Sequence, residues 1–317
     1  DLEQYRYKNI SLDGLITDKL FDGNVTINDP NLVLDFTGRV EYGTKEMKHR
    51  FILNLPLLNL YGLKFDTDST SKLQFDMVAD FSGLDPDLMV GKINLYDFSV
   101  NRRNQRAYFS DLSLNIGQVG ISKFMHINSG FFRMSLTGQY SYNSLSDVFS
   151  DAIKQYLPAV AWSDKVIAKD DPTNVKCKID LKDIQPVINL FDTTLKVSNN
   201  TVVEINYKAN GRRLDMKGST SRISYGDQNL NGISISGYNE VSKIVANVSA
   251  ATYEYMDGMS LKNLSLNTII EKNLLTFNVN WNNYNSTDTT NYSGYISSQL
   301  LFPESGNFDK IDINVLP

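Results

Sequence analysis

Two histidines, one cysteine, two tryptophans and a few paired carboxylates are the residues whose chemistry would be diagnostic at the right spacing. His49 lies between Lys48 and Arg50 and reads as a basic, solvated strand end. His126 lies in a strand-like stretch beside Met125 and Ile127. A metal ligand or general base needs placed partners, and the residues around both histidines offer none. Cys177, the only cysteine, falls in the alternation Val175, Cys177, Ile179, Leu181, which makes it an inward strand residue with no internal disulfide to form. Asp85-Pro86-Asp87 and Asp170-Asp171 are acidic turns with too few oxygens at set spacing for calcium. There is no Gly-rich phosphate loop, Gly-x-Ser-x-Gly elbow or Cys-x-x-Cys pair. A carboxylate pair for glycoside cleavage is assembled in space and stays open at this level, yet only Trp162 and Trp281 are tryptophans. The expectation is no catalytic residue, no metal, no cofactor and no enzymatic activity.

What would position such residues is almost entirely strand. Leu32, Leu34, Phe36, Gly38, Val40 and Tyr42 alternate with Val33, Asp35, Thr37, Arg39 and Glu41. Side chains in a strand alternate faces with period two, so the segment is half-buried. The pattern returns at Leu73, Phe75, Met77, Ala79 and Phe81, and at Phe132, Met134, Leu136 and Gly138. It returns again at Val203, Ile205 and Tyr207, which lead into Asn210-Gly211, a two-residue hairpin signal. Leu275, Phe277, Val279 and Trp281 form a further strand. The 317 residues, with 31 basic and 36 acidic side chains, are enough for a substantial core and argue against a nucleic-acid binder. No apolar run is long enough for a membrane-spanning helix. Asp1-Leu2-Glu3-Gln4 is no signal peptide, and both ends break into strand-like text, so the chain reads as a piece of a longer protein. Sequons at Asn24, Asn247 and Asn285 are what an Asn/Ser/Thr-rich strand protein produces by chance.

One segment changes period. Leu145, Val148, Phe149, Ala152, Ile153, Tyr156 and Leu157 make an apolar stripe, which predicts an amphipathic helix near 144–158. Ser144 or Asn143 would cap it, with Asp147 in the first turn and Pro158 at its end. A shorter helix is expected near 184–191, with Pro186 in its first turn. The organisation expected is a first β-groove segment over 1–162 ending in that helix, a polar connection over 163–174, and a second segment over 175–317 that continues the same sheet. Five phrases share an apolar-hydroxyl-glycine signature: Phe36-Thr37-Gly38, Phe81-Ser82-Gly83, Leu136-Thr137-Gly138, Ile235-Ser236-Gly237 and Tyr292-Ser293-Gly294. Glycine inside a strand permits a bulge or curvature, so the sheet is expected to curl into a trough.

The fold class expected is therefore mostly β: a long curved antiparallel sheet forming an open hydrophobic groove. Roughly twenty strands at about 4.8 Å each run on the order of 100 Å. A trough about 10 Å wide would then leave on the order of 1,000 Å² of apolar wall, where soluble monomers rarely expose more than a few hundred. The cover is a second sheet, the helix or an apolar ligand. The residues expected to line the face are Leu32, Leu34, Phe36, Val40, Leu73, Phe75, Met77, Phe81, Phe132, Met134, Leu136, Val203, Ile205, Leu275, Phe277 and Val279.

Phe21 through Gly38, Val90 through Phe98, Tyr108 through Leu114, and Phe131 through Pro158 carry a likeness. These phrases resemble the TamB-type translocation and assembly module family of the AsmA-like superfamily, in its Bacteroidetes-like form, over most of 15–160 and more loosely over 175–317. The resemblance implies a taco-shaped periplasmic β groove in a bridge-like lipid-transfer protein of a Gram-negative bacterium. It implies phospholipid acyl chains as ligand, an inner-membrane anchor before this segment, and an outer-membrane barrel partner of the TamA/BamA type after it. The implied role is phospholipid movement between the two membranes, with a related role in outer-membrane protein assembly. Two alternatives stand beside it: a chaperone for outer-membrane proteins that binds clients by β-augmentation, and a glycan-binding β-sandwich.

Overall fold

The computed structural model describes residues 5–43, 47–168, 170–256, 258–284, 292–303 and, as backbone, 312–316. Residues 1–4, Lys169 and the Asn285 sequon lie outside this set. Of the chain, 64% is strand and 7% helical, and the strands pair antiparallel in a large open sheet that is not closed into a barrel. The repeated apolar–polar alternation thus folds as the period of two dictates. Two compact units divide the chain: residues 1–135 with 181–194, and residues 136–180 with 195–317.

The first unit is a meander. Its strands are β1 (Ile10–Ile16), β2 (Leu20–Asp29), β3 (Leu32–Glu41), β4 (Lys48–Asn59), β5 (Lys72–Ser82), β6 (Val90–Arg102), β7 (Gln105–Val119) and β8 (Ser122–Ser129). Each pairs antiparallel with the next. Directly opposed residues share a face, so register shows which side chains assemble. One row runs Leu12–Val25–Phe36–Leu53–Met77–Leu95–Leu112, and the next runs Gly14–Gly23–Gly38–Phe51–Ala79–Ile93–Leu114–Ile127. A bulge in β4 inserts Pro56 and Leu57 between Leu55, opposite Phe75, and Leu58, opposite Leu73. The proline therefore sits where a ladder bond is already lost, and both leucines stay on the apolar face.

Strand β9 (Phe132–Gln139) carries the chain into the second unit. Its strands are β10 (Asn174–Leu181), β11 (Leu195–Val197), β12 (Thr201–Lys208), β13 (Arg213–Tyr225), β14 (Gln228–Asn239), β15 (Ile244–Met256), β16 (Met259–Glu271), β17 (Leu274–Asn282), β18 (Ser293–Leu301) and β19 (Asp312–Leu316). Strands β12 to β19 again pair in sequence, and β11 pairs with the far end of β13. One face carries the row Val203–Gly218–Ile235–Val248–Leu266–Val279–Ile296. The opposite face carries Glu204–Lys217–Ser236–Asn247–Asn267–Asn278–Ser297, in which Asn267 donates to Asn247 and Ser297 donates to Asn278.

The long helix covers Tyr142–Lys154, followed by a single 3-10 turn at Pro158–Val160. Its cap is Ser141, in place of Asn143 or Ser144. Ser141 is extended (φ −110°, ψ 128°), and its hydroxyl accepts the Ser144 N–H at 3.3 Å. The start moves upstream because Ser141 is the last residue that is both extended and able to accept. Asp147 consequently leaves the first turn and bonds to Ser163 and Lys165. The short helix forms over Gln185–Asn189 with its proline in the first turn. The β12–β13 hairpin closes over four residues, with positive φ at Gly211 and Arg212 in place of Asn210 and Gly211. The Ala209 N–H bonds to Thr173, and the Arg212 N–H to Ala209, which sets the wider turn.

Candidate functional site

The candidate site is the apolar face of each unit, taken separately. In the first unit, eight of the expected lining residues lie on one face. Leu32 opposes Leu58, Phe36 opposes Val25 and Leu53, and Val40 opposes Phe21 and His49. Leu73, Phe75, Met77 and Phe81 oppose Leu58, Leu55, Leu53 and His49, and Leu34 opposes Ile27. Two runs of aromatic rings cross the strands. One passes from Phe21 to Phe36 (5.9 Å between centroids), Phe51 (5.1 Å) and Phe81 (6.3 Å). The other passes from Phe75 to Phe98 (6.1 Å), Phe109 (4.5 Å) and Phe131 (5.3 Å). Phe132 packs beside this second run, and Met134 is half-buried further along β9.

The reading of His49 as a solvated strand end is overturned. The residue is 3% exposed, its ring lies tilted against Phe81 at 4.8 Å between centroids, and its Nε2 has no hydrogen-bond partner. Burial pushes its pKa below the ordinary value, so the ring favours the neutral form. Alternation decides this: Val40, opposite His49, points to the apolar face, and the flanking Lys48 and Arg50 point away. His126 is an exposed residue of β8 whose ring stacks on Phe124. Cys177 is half-buried in β10, and burial pushes its thiol pKa up. Among the described residues, no three of His, Cys, Asp and Glu gather as a metal group would require.

Part of the first unit's face is covered from within. Ile184, Val187 and Leu190, in and around the short helix, pack on Ala107, Phe109, Phe131, Phe98 and Leu112. Arg102 lies over the Phe191 ring at 5.7 Å and pairs with Asp66 at 3.1 Å, and Arg103 donates to the Phe191 carbonyl at 2.8 Å. The Asp66 carboxyl is held below its usual range, first by the Ser71 hydroxyl and then by the Asp68 N–H. The apolar spacing of 184–190 signals a helix, but nothing in it says which strands receive the helix.

In the second unit, Val203 and Ile205 oppose Gly218 and Met216. Leu275, Phe277 and Val279 oppose Ile270, Thr268 and Leu266 on one side, and Leu300, Ser298 and Ile296 on the other. Leu136, at the second unit's end of β9, is buried. The long helix sits across the ends of these strands. Val148, Phe149 and Ala152 pack on Tyr207, Ala209 and Leu214, where β12 turns into β13. Beyond the helix, Tyr156 donates to the Glu240 carbonyl in the β14–β15 turn, and its own carbonyl accepts from Asn273 in the β16–β17 turn. Arg212 bonds to Asp151 and Gln155. Tyr207, 2% exposed, has its pKa pushed up to about 12 by burial and by the nearby Asp151 carboxylate.

Strand glycines here allow close approaches of two kinds. A Cβ at Gly38 would come within 2.4 Å of the Phe51 Cβ and 2.5 Å of the Arg50 carbonyl, a close approach of backbones, and one at Gly117, on the opposite face, would come within 2.7 Å of the Phe124 ring. At Gly294 it would lie 1.8 Å from the Trp281 indole. A strand glycine opposite an aromatic residue lets the ring lie flat over the neighbouring backbone.

No known protein family, no curated protein and no solved structure matches this chain. The reading of the faces rests on the molecule itself.

Proposed function

We propose that this chain is a periplasmic portion of a bridge-like carrier that conducts phospholipid between the inner and outer membranes. The observation that supports it is the apolar row in each unit, seven strands wide in both, with Gly218 the one glycine in the second. Acyl chains lie along these rows. Each buried methylene gains about 0.8 kcal/mol, so a sixteen-carbon chain gains up to about 12 kcal/mol wherever the face receives it. In this reading the full protein is anchored in the inner membrane and meets an outer-membrane barrel partner. No catalytic step, metal or cofactor enters the process.

Native mass spectrometry of gently purified protein tests it. Copurified phospholipid, lost on Phe36→Asp with the strand content unchanged in circular dichroism, is the expected result. Protein that carries no lipid in such preparations overturns the reading.

One observation favours a second reading. All seven residues of β1 are exposed, Ile10, Leu12, Leu15 and Ile16 among them. A strand in that state suits β-augmentation by an unfolded outer-membrane client. A photo-crosslinker at Leu12 that captures peptide, while one at Phe277 captures no lipid, would favour this chaperone role.

A further inference from the structure

The apolar face of the second unit changes character along its length. In β13 the positions that face the interior run Leu214, Met216, Gly218, Thr220, Arg222 and Ser224. The same register carries β15 from Val248 and Ala250 to Thr252 and Glu254, and β16 from Leu264 to Lys262 and Ser260. At the end remote from the long helix, a polar row therefore crosses five strands: Lys196, Ser224, Asn229, Glu254 and Ser260. A cleft of about 1200 Å³ opens over it.

The charged residues of this cleft, Lys196, Arg222, Asp227 and Glu254, are unpaired with one another. Among the described residues, no salt bridge includes any of the four. Arg222 donates through Nε to Ser224 at 3.2 Å. Glu254 accepts from Asn229 and Asn231, one on each carboxylate oxygen and both at 3.1 Å, which fixes its orientation. Arg222 lies in the neighbouring row, opposite Asn231, so it and Glu254 stand two strands and one two-residue step apart, about 12 Å. A ligand group with an anionic part and a cationic part fits between them. A purely anionic group would meet the Glu254 carboxylate.

We propose that this cleft is a head-group subsite for an ethanolamine phosphodiester, with Lys196 and Arg222 meeting the phosphate and Glu254 accepting from the ammonium. The subsite rests on the lipid reading above and adds head-group selection to it. Arginine suits the phosphate because its planar fork matches two oxygens.

Trp281, on the same face opposite Gly294, reports on occupancy by its fluorescence once Trp162 is changed to phenylalanine. Dihexanoyl phosphatidylethanolamine, dihexanoyl phosphatidylglycerol, dihexanoylglycerol, O-phosphoethanolamine and inorganic phosphate are titrated as monomers. The expected order places phosphatidylethanolamine about tenfold ahead of both phosphatidylglycerol and dihexanoylglycerol. Arg222→Ala and Lys196→Ala each remove most of that advantage, Arg222→Lys restores part of it, and Glu254→Gln raises phosphatidylglycerol to parity. Both cations are exposed, so the substitutions leave the sheet intact, which far-ultraviolet circular dichroism checks. Equal affinity for all three tailed ligands overturns head-group selection and leaves the lipid reading standing. Tight binding of O-phosphoethanolamine or inorganic phosphate alone identifies a free-phosphate site and also overturns the proposal. No response to any tailed ligand, with no copurified lipid, overturns both readings.

Discussion

Both units build a sheet with one apolar face, and they close part of it in different ways. In the first, residues 181–194 return to lay Ile184, Val187 and Leu190 directly on the face over β6 and β7. In the second, the long helix lies across strand ends, touching Tyr207, Ala209 and Leu214, and the Tyr156 segment after it continues to the β14–β15 and β16–β17 turns. The first unit's face is a pavement of phenylalanines, which needs a bulky apolar lid. The second unit's face is made largely of Val, Ile, Leu, Ala and Met. Its helix and the segment after it are fastened by polar bonds at the rim, Arg212 to Asp151 in the helix and Tyr156 beyond it to Glu240. A lid on a face competes with any ligand for the same area, whereas a stopper at strand ends leaves the rows between them free.

Four measurements break or sharpen this contrast. The largest effect is expected from Phe109→Ala, which removes the ring that Phe98, Phe131 and Leu190 pack against. It should cost about 3–5 kcal/mol in denaturant unfolding and expose 181–194 to hydrogen exchange, with 142–154 unchanged. Continued protection of 181–194 would mean that the first unit does not hold its lid through the face. Arg212→Ala strips the cation from the buried Asp151 and should cost about 2 kcal/mol. Its exchange signature should be confined to the long helix and its turns. Ser141→Ala removes the cap and should cost about 1 kcal/mol, read as fraying at Tyr142–Leu145.

The fourth is a pH dependence in the second unit. Tyr207 has a folded pKa near 12 against an ordinary value of 10.0. A raised folded pKa means that the folded state holds the proton more tightly. Its contribution to stability is complete below pH 10 and is lost as pH rises toward 12. Exchange at Val148–Ala152, after correction for the intrinsic base-catalysed rate, should therefore accelerate over that window, and the corrected rate should lose its pH dependence in Tyr207→Phe. Equal acceleration in that variant would sink the assignment.

The strands were legible because period-two alternation is written directly in residues such as Leu32–Val40, and the long helix because its period breaks that pattern. Pairing order followed from the meander. What remained hidden was anything set by contact across distant sequence. His49 looked solvated because its neighbours are basic, yet parity with Val40 already assigned it to the buried face. Arg222 and Glu254 are a comparable case. Each continues the interior parity of its strand with a charge, and that break in the apolar series marks where the face turns polar. The docking of 181–194 onto the first unit depends on packing against β6 and β7 and leaves no local trace.

The seating of Trp281 over Gly294 also constrains how this sequence can drift. Gly294→Ala places a methyl inside the indole and should destabilise while the tryptophan is present. After Trp281→Val the same alanine has room and is expected to be near neutral, so the two sites are coupled in a double-mutant cycle. Of the two orders in which the pair could be replaced, only the one that removes the ring first avoids a poorly folded intermediate. The same ordering applies at Gly117 with Phe124. Each such couple is a one-way step in the history open to this sheet.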